Sequence, residues 1–195
     1  MILPVILSYL IGSIPFSYLI ALLATGKDLR AMGSGNVGAT NVMRTTGRIP
    51  GIAALLLDVL KGAGCVWLAH ALGGDSTTMA VSGFMAMLGH SFPLFLGFRG
   101  GKSVATGGGA FGALVPLAML SSIGVFGLML LLFRIVSLSS VVAAASFPLF
   151  AWLYGAEKGI VLWGAISATL IIVRHHANII RLFQGTERKL GEGKK

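Results

Sequence analysis

The sequence predicts an all-α fold, a polytopic membrane helix bundle of about seven transmembrane elements. The chain of 195 residues is 55% hydrophobic and only 11% charged, which is too apolar for a soluble globular protein. Uncharged runs recur along it, and several approach the roughly 20 residues that a helix needs to cross a bilayer. Basic residues gather in short segments between these runs, as in the cytoplasmic loops of membrane proteins. We therefore expect one integral-membrane domain over residues 1–195.

The first element is the uncharged run from Met1 to Gly26. It lacks the basic leader and the small-residue cleavage site of a signal peptide, so it is interpreted as a span. The later full spans are expected at Gly51–Leu72, Met79–Gly97, Leu117–Phe133, Val136–Tyr154 and Gly159–Val173.

A shorter element is expected between Lys102 and Arg134, where Pro116 divides an uncharged run. The part before the proline, Ala105–Ala113, reads ATGGGAFGA and predicts a short glycine-rich helix or re-entrant leg. Such a segment at membrane depth must be covered by protein, and its small residues would let neighbouring helices approach closely. Packing alone could account for these glycines.

Four basic segments predict the orientation of the chain. They hold most of the Lys and Arg residues and are Lys27–Arg48, Arg99–Lys102, Arg134 and Arg174–Lys195. Basic loops favour the cytoplasmic side, so the number of crossings between neighbouring segments must be even. This constraint predicts seven helical elements, with the N-terminus outside and the C-terminus in the cytoplasm.

The supply of residues argues against several function classes. The net charge of +9 is sorted between membrane segments, so nucleic acid is not an expected partner. Cys65 is the only cysteine, so an internal disulfide is impossible. The inner face offers few carboxylates, and neither a metal nor another cofactor is expected. The chain also lacks the Gly-x-Ser-x-Gly elbow of a serine hydrolase.

The first polar cluster is GSGNVGATNVMR, Gly33–Arg44. Its glycines have the spacing of a dinucleotide-binding turn, but a membrane helix precedes them instead of a strand. Backbone amides, neutral hydrogen-bonding side chains and the fork of Arg44 suit a phosphate group, although loops of this kind are often only turns. The candidate site residues are Gly33, Ser34, Gly35, Asn36, Gly38, Thr40, Asn41 and Arg44.

The second polar cluster is GHSFPLFLGFRGGKS, Gly89–Ser103. Its GKS resembles the end of a P-loop, but Leu96 stands where that motif needs its first glycine. Glycine amides beside two cations still make a concave anion site; a tight turn with basic anchors is the alternative. The candidate site residues are His90, Arg99, Gly100, Gly101, Lys102 and Ser103.

The third polar cluster is RHHANIIRL, Arg174–Leu182, at the inner end of the last span. His175 and Asn178 are three residues apart, so they share a helical face. We expect them to open onto the same surface as the first two clusters. Basic residues at such a position are otherwise interface anchors.

A charged pair is expected inside the second span. Asp58 and Lys61 are three residues apart, so a helix would let them pair and offset the cost of burying charge in the membrane. A role in holding helices together and a direct role toward a substrate are both open.

Five motifs in order resemble those of the bacterial acyl-phosphate:glycerol-3-phosphate acyltransferase family, small multi-span membrane enzymes that begin phospholipid synthesis. The motifs are GSIPFSYLIA, GSGNVGATNVMR, DVLKG, GHSFPLFLGFRGGKSVAT and RHHANIIRL. The chain departs from the family's usual pattern at Arg99, where Lys is usual, and at Ser103, where Gly is usual. The second departure adds a side chain in a turn.

The resemblance implies transfer of a fatty acyl group from acyl phosphate to the 1-hydroxyl of glycerol 3-phosphate, giving lysophosphatidic acid and phosphate. Acyl phosphate is an activated mixed anhydride, so proximity and fixed donors can suffice without an enzyme nucleophile. Our hypothesis places Ser34 and Lys102 on the donor phosphate. The acceptor would be placed by Arg44, Asn178 and His175. The base would be His175 or a phosphate oxygen of the donor.

The resemblance also implies a multi-pass protein of the bacterial cytoplasmic membrane, with its active site on the cytoplasmic side among membrane lipids. A soluble enzyme that makes acyl phosphate is the implied partner.

Two alternative functions are a small transporter for an anionic solute and an acyltransferase that uses acyl-CoA or acyl carrier protein. The run HALGGD, His70–Asp75, has the His-Asp spacing of another class of glycerolipid acyltransferases, but the predicted topology places it on the outer face.

Overall fold

The structure, a computed structural model, describes residues 2–191, and these residues form helices and turns without strands. The α-helices are α1 (Ile2–Gly12), α2 (Phe16–Thr25), α3 (Ala39–Thr45), α4 (Arg48–Ala71), α5 (Ser76–Ser91), α6 (Val104–Leu114), α7 (Pro116–Phe133), α8 (Val136–Leu153), α9 (Lys158–Arg174) and α10 (His176–Phe183). Short 3-10 turns, Leu29–Ala31 and Leu94–Leu96, follow α2 and α5. The predicted all-α class is confirmed.

Several of these helices are long and apolar enough to cross a bilayer. Helices α9 and α10, bent by 58°, add one span if they act together. Helix α6 has 11 residues and covers only about half of the hydrocarbon thickness. The multi-span prediction is confirmed, while the count of seven stays a prediction. Within the described residues, five candidates qualify on their own: Ile2–Thr25, Arg48–Ala71, Ser76–Leu96, Pro116–Phe133 and Val136–Leu153.

The first span contains a break that the sequence analysis did not predict. Helix α1 ends at Gly12 and α2 begins at Phe16, with Pro15 between them. Proline has no backbone N–H to donate, and it disfavours helical geometry in the residue before it. The carbonyl of Ile14 consequently lies outside the regular helix, where it accepts a hydrogen bond from Lys61 Nζ at 2.9 Å.

The chain divides into two compact units, Met1–Leu114 and Val115–Lys195. In the first unit, α4 packs against α1, α2, α3, α5 and α6, and α5 also packs against α1 and α6. This unit carries the first and second polar clusters. In the second unit, α8 packs against α7 and α9, and α10 contacts α8 and α9. This unit carries the third cluster.

Helices α4 and α6 approach each other through glycine. A Cβ at Gly109 would collide with the backbone of Val59, and one at Gly62 would collide with the backbone of Thr106. Backbones can come this close only where a side chain is missing. Gly108 differs, since no atom lies within 4 Å of its Cβ position. The packing role predicted for the small residues of α6 therefore holds at Gly109 and not at Gly108.

We expect Gly109→Ala to destabilise the protein by about 1–3 kcal/mol or more, because the added methyl group overlaps backbone that cannot move aside cheaply. Gly108→Ala is the matched control, and it should leave stability unchanged or raise it, since alanine has the higher helix propensity. Thermal unfolding of both purified variants in one detergent measures the difference. Equal unfolding temperatures would contradict the close approach at Gly109.

Candidate active site

Asn41 holds the first polar cluster together. Its side chain is buried, and Oδ1 accepts a hydrogen bond from the backbone amide of Ser34 at 2.9 Å. Nδ2 donates to the carbonyl oxygens of Met32 and Asn36, each at 3.0 Å. Asn41 is predicted from the sequence to bind substrate, but in the structure its amide is engaged with the backbone of its own loop.

Other polar groups of the first cluster face outward. Ser34, Thr40 and Arg44 are exposed, and Arg44 lies in the last turn of α3. Gly33 and Gly35 have φ values of 59° and 71°, which glycine adopts without steric cost. These two glycines shape the turn that presents the exposed hydroxyl and guanidinium groups.

The second cluster is fixed to the last turn of α5. The backbone amides of Gly100 and Gly101 donate to the carbonyl oxygens of Ser91 and His90, at 3.2 Å and 3.1 Å. Ser103 is buried, and its hydroxyl lies 2.6 Å from Ser91 Oγ. The φ of Ser103 is 59°, a left-handed conformation that favours glycine. The segment from Gly100 to Ser103 therefore folds back and packs against the C-terminal end of α5.

The first and second clusters meet at Gly101. A Cβ at this position would lie 2.7 Å from the carbonyl oxygen of Val37 and would collide with Nε2 of His90. Val37, in the middle of the first cluster, is buried. Lys102 follows Gly101 directly and is half-buried, while Arg99 is exposed. The two glycine-rich basic segments are thus neighbours within the first unit.

A buried group of charged and polar side chains adjoins the contact between the first and second clusters. Asp58 Oδ1 is 3.0 Å from Lys61 Nζ and 3.4 Å from His90 Nδ1, and Asp58 Oδ2 accepts a hydrogen bond from Ser17 Oγ at 2.8 Å. The pairing of Asp58 with Lys61 is confirmed. His90 was predicted to bind substrate, but its Nδ1 faces this carboxylate. The part played by Ser17 was missed, because residues of separate helices meet here and no sequence spacing relates them.

In the second unit, His175 stands at the bend between α9 and α10. Its ring is buried, and Nδ1 lies 2.7 Å from the carbonyl oxygen of Ile171. A carbonyl oxygen only accepts hydrogen bonds, so Nδ1 carries the hydrogen. In the neutral ring, Nε2 is then the nitrogen that can take up a proton. This tautomer suits the role of a base.

Asn178 contacts a carboxylate that the sequence analysis did not single out. Its Nδ2 donates to Glu187 Oε1 at 2.5 Å, Ser137 Oγ donates to the same oxygen at 2.7 Å, and Arg181 Nε donates to Oε2 at 2.7 Å. Burial would raise the pKa of the Glu187 carboxyl, but these hydrogen bonds outweigh burial and hold the pKa below its ordinary value. Glu187 follows α10 in an irregular segment, so no periodicity could have marked it.

The run His70–Asp75 lies at the opposite end of α4 from the first cluster. Helix α4 has 24 residues, which separate its ends by about 36 Å. Asp75 caps α5 by accepting a hydrogen bond from the backbone amide of Thr78 at 2.8 Å. Among the residues that the structure describes, no group of three or more His, Cys, Asp or Glu side chains could hold a metal ion.

Two solved structures are similar to this one. The chain superposes on the crystal structure of PlsY (YgiH), an integral membrane glycerol 3-phosphate acyltransferase, in its glycerol 3-phosphate form, with a TM-score of 0.93. The two are 42% identical, over 97% of this chain and 95% of the other. The lysophosphatidic acid form gives a TM-score of 0.90 at 40% identity, with the same coverage.

Similarity to known proteins also extends along nearly the whole sequence. Residues 2–185 match the model of a family described as glycerol-3-phosphate acyltransferase. A glycerol-3-phosphate acyltransferase of Desulforamulus reducens is 43% identical over 96% of this chain and 94% of its own length. One from Gloeobacter violaceus is 46% identical over 95% and 92%. The chain belongs to the glycerol-3-phosphate acyltransferase family.

Proposed function

We propose that this chain is a single-domain enzyme that transfers a fatty acyl group from acyl phosphate to the 1-hydroxyl of glycerol 3-phosphate. The products would be lysophosphatidic acid and phosphate. Membership of the family supports the acyltransferase activity. The solved relative is described in a glycerol 3-phosphate form and in a lysophosphatidic acid form, which correspond to the acceptor and the product of this reaction.

The contact between the first and second clusters carries the proposal. The clusters touch where Gly101 meets Val37, and they contribute the cations Arg44 and Lys102 beside glycine-rich backbone. Backbone amides combined with Lys and Arg bind phosphate well. Both proposed reactants bear a phosphate group, so two adjoining anion sites are what their reaction requires.

Acyl phosphate suits this chain better than a thioester donor. Its phosphate is a good leaving group, so attack by a hydroxyl needs no covalent enzyme intermediate. A His-Asp spacing of the kind used with thioester donors occurs at His70–Asp75, about 36 Å along α4 from the first cluster. There the Asp75 carboxylate caps α5. That arrangement gives no support to thioester chemistry.

The proposed reaction forms one ester bond and breaks one anhydride bond. The acceptor hydroxyl oxygen attacks the acyl carbonyl carbon, and the bond from that carbon to the phosphate oxygen breaks with its electron pair leaving on phosphate. The hydroxyl proton passes to a base. Fixed amides and cations would stabilise the charge that gathers on the oxyanion and the phosphate. Holding both reactants in one orientation would supply much of the remaining acceleration.

We assign Ser34 and Lys102 to the donor phosphate. The acceptor would be placed by Arg44, Asn178 and His175. Two groups are candidates for the base, namely His175 through Nε2 and an oxygen of the donor phosphate itself. The second needs no enzyme base and agrees with the absence of a catalytic triad motif in the sequence.

We further propose that the enzyme lies in the bacterial cytoplasmic membrane with seven helical elements, its N-terminus outside and its C-terminus and active site on the cytoplasmic side. The basic segments support this arrangement, because Lys and Arg favour cytoplasmic loops. The acyl tail of the donor would lie among the helices and membrane lipids while its phosphate stays at the surface. A soluble enzyme would supply acyl phosphate there.

The purified protein should form lysophosphatidic acid from radiolabelled glycerol 3-phosphate when acyl phosphate is the donor, and not with acyl-CoA or acyl carrier protein. Among these donors, only acyl phosphate has its phosphate bonded directly to the acyl carbonyl carbon, so only its leaving group is the phosphate that the second anion site would hold. Thin-layer separation of the labelled product measures the reaction. Product from acyl-CoA or acyl carrier protein alone would overturn the assignment of the donor. The transporter interpretation would return if no donor gave product.

Lys102→Ala should lower kcat/KM by about a hundredfold, because a cation beside the departing phosphate is lost. Arg44→Lys should also lower kcat/KM, since lysine keeps the charge but cannot form the bidentate contact. Steady-state kinetics with both substrates varied provide the measurement. Lys27→Ala, at an exposed basic residue outside the clusters, is the control. Wild-type kinetics in Lys102→Ala would refute its place at the phosphate.

His175→Ala tests the two candidates for the base. If a donor phosphate oxygen takes the proton, kcat at saturating substrate should stay within about tenfold of wild type, whereas general-base catalysis by a side chain contributes about a hundredfold or more. His176→Ala is the matched control, because this neighbouring histidine is exposed. A loss of a hundredfold or more in kcat for His175→Ala alone, with KM for glycerol 3-phosphate unchanged, would assign the base to His175.

A further inference from the structure

The proposed reaction does not use the most deeply buried charges of the first unit. The side chains of Asp58 and Lys61 are 1% and 2% exposed. Burying charges inside a membrane bundle is costly even when they are paired, and an apolar pair of similar size often does the packing equally well. A charged pair buried at this position therefore points to a task besides packing.

The contacts of Asp58 join separate helices. Its Oδ2 accepts a hydrogen bond from Ser17 on α2, and its Oδ1 lies 3.4 Å from Nδ1 of His90 on α5. Lys61, on the same helix as Asp58, donates in turn to the carbonyl of Ile14 at the break of the first span. The carboxylate is thus held from three sides, and it faces one edge of the His90 ring.

The other edge of the His90 ring faces the second cluster. A Cβ at Gly101 would collide with Nε2, so the ring and the glycine backbone are in direct contact. The amide of Gly101 also donates to the His90 carbonyl at 3.1 Å. On its remaining side, Gly101 meets the carbonyl of Val37 in the first cluster. One path of contacts therefore runs from Asp58 through His90 to the junction of the two clusters.

We infer that Asp58, paired with Lys61, is a positioning residue that sets the distance between the two phosphate-binding clusters through the His90 ring. The Asp58 carboxylate holds the orientation of the ring through Nδ1. The opposite edge of the ring, at Nε2, contacts the backbone of Gly101. Lys102 is the next residue, so a small rotation of His90 would shift the cation relative to the first cluster. This inference rests on the function proposed above, because it takes the two clusters to be phosphate sites.

A matched pair of charges can be removed together to test the inference. Asp58→Asn leaves Lys61 buried without its carboxylate and carries a risk of misfolding. The combined variant Asp58→Asn with Lys61→Met removes both charges at similar volume and is the variant of choice. His90→Gln is made alone and on top of that combination. Cys65→Ala, one turn further along α4 and buried against α1 near Ser8, is the control for repacking the same helix.

The expected result is a split between KM and kcat. In the combined variant, KM for acyl phosphate or for glycerol 3-phosphate should rise about tenfold or more, because the anion sites are misplaced, while kcat at saturation falls less. His90→Gln should raise the same KM. Adding it to the combined variant should change little further, as expected when residues act through one another. Cys65→Ala should keep both KM values.

Two results would overturn the positioning role. One is a folded combined variant with both KM values unchanged, and the other is an equal rise of KM in Cys65→Ala. Wild-type turnover in the same assay tests the proposed function separately. A wild type without product from any donor would remove both proposals, whereas an active wild type with unchanged variant KM values would remove only this one.

Discussion

The structure depends on one constraint, which is that hydrocarbon offers no partner to a backbone N–H or C=O group. Helices meet this constraint along their length, and backbone that is buried where the chain leaves a helix also needs local partners. The first cluster meets the need with the Asn41 amide, which binds backbone groups of its own loop. The second meets it by donating from Gly100 and Gly101 to the last turn of α5. Irregular backbone held in this way is also the part of the chain that can offer amides to a phosphate group.

The same constraint makes the buried charges of the first unit conspicuous. Asp58 and Lys61 lie where a charge is stable only with partners from several directions, and the break at Pro15 supplies one of them in the carbonyl of Ile14. The break in the first span therefore frees a carbonyl group that binds the lysine of the ion pair in the second span. A continuous first helix would keep that carbonyl in its own hydrogen-bond ladder.

Much of the helix pattern could be predicted from the sequence, because uncharged runs and basic segments are direct consequences of bilayer thickness and charge placement. The spans expected at Val136–Tyr154 and Gly159–Val173 match α8 and α9 within one residue at each end. The break after Gly12 escaped prediction because it lies inside an uncharged run. The pairing of Asp58 with Lys61 follows from helical spacing, whereas the contact of His90 with Gly101 is tertiary and has no spacing to reveal it. Glu187 escaped for the same reason.

Ser103 illustrates how a local departure from the family's pattern can be accommodated. The resemblance leads one to expect glycine there, and the φ of 59° is the left-handed geometry that glycine tolerates. For serine this geometry costs about 1–2 kcal/mol. Its hydroxyl, however, lies within hydrogen-bond distance of Ser91 Oγ and of the carbonyl of Met87. Each buried hydrogen bond contributes about 0.5–1.5 kcal/mol, so the two together are large enough to offset the strain. The loop can therefore keep the left-handed geometry at Ser103, because the hydrogen bonds of the serine hydroxyl to α5 offset the strain of the backbone.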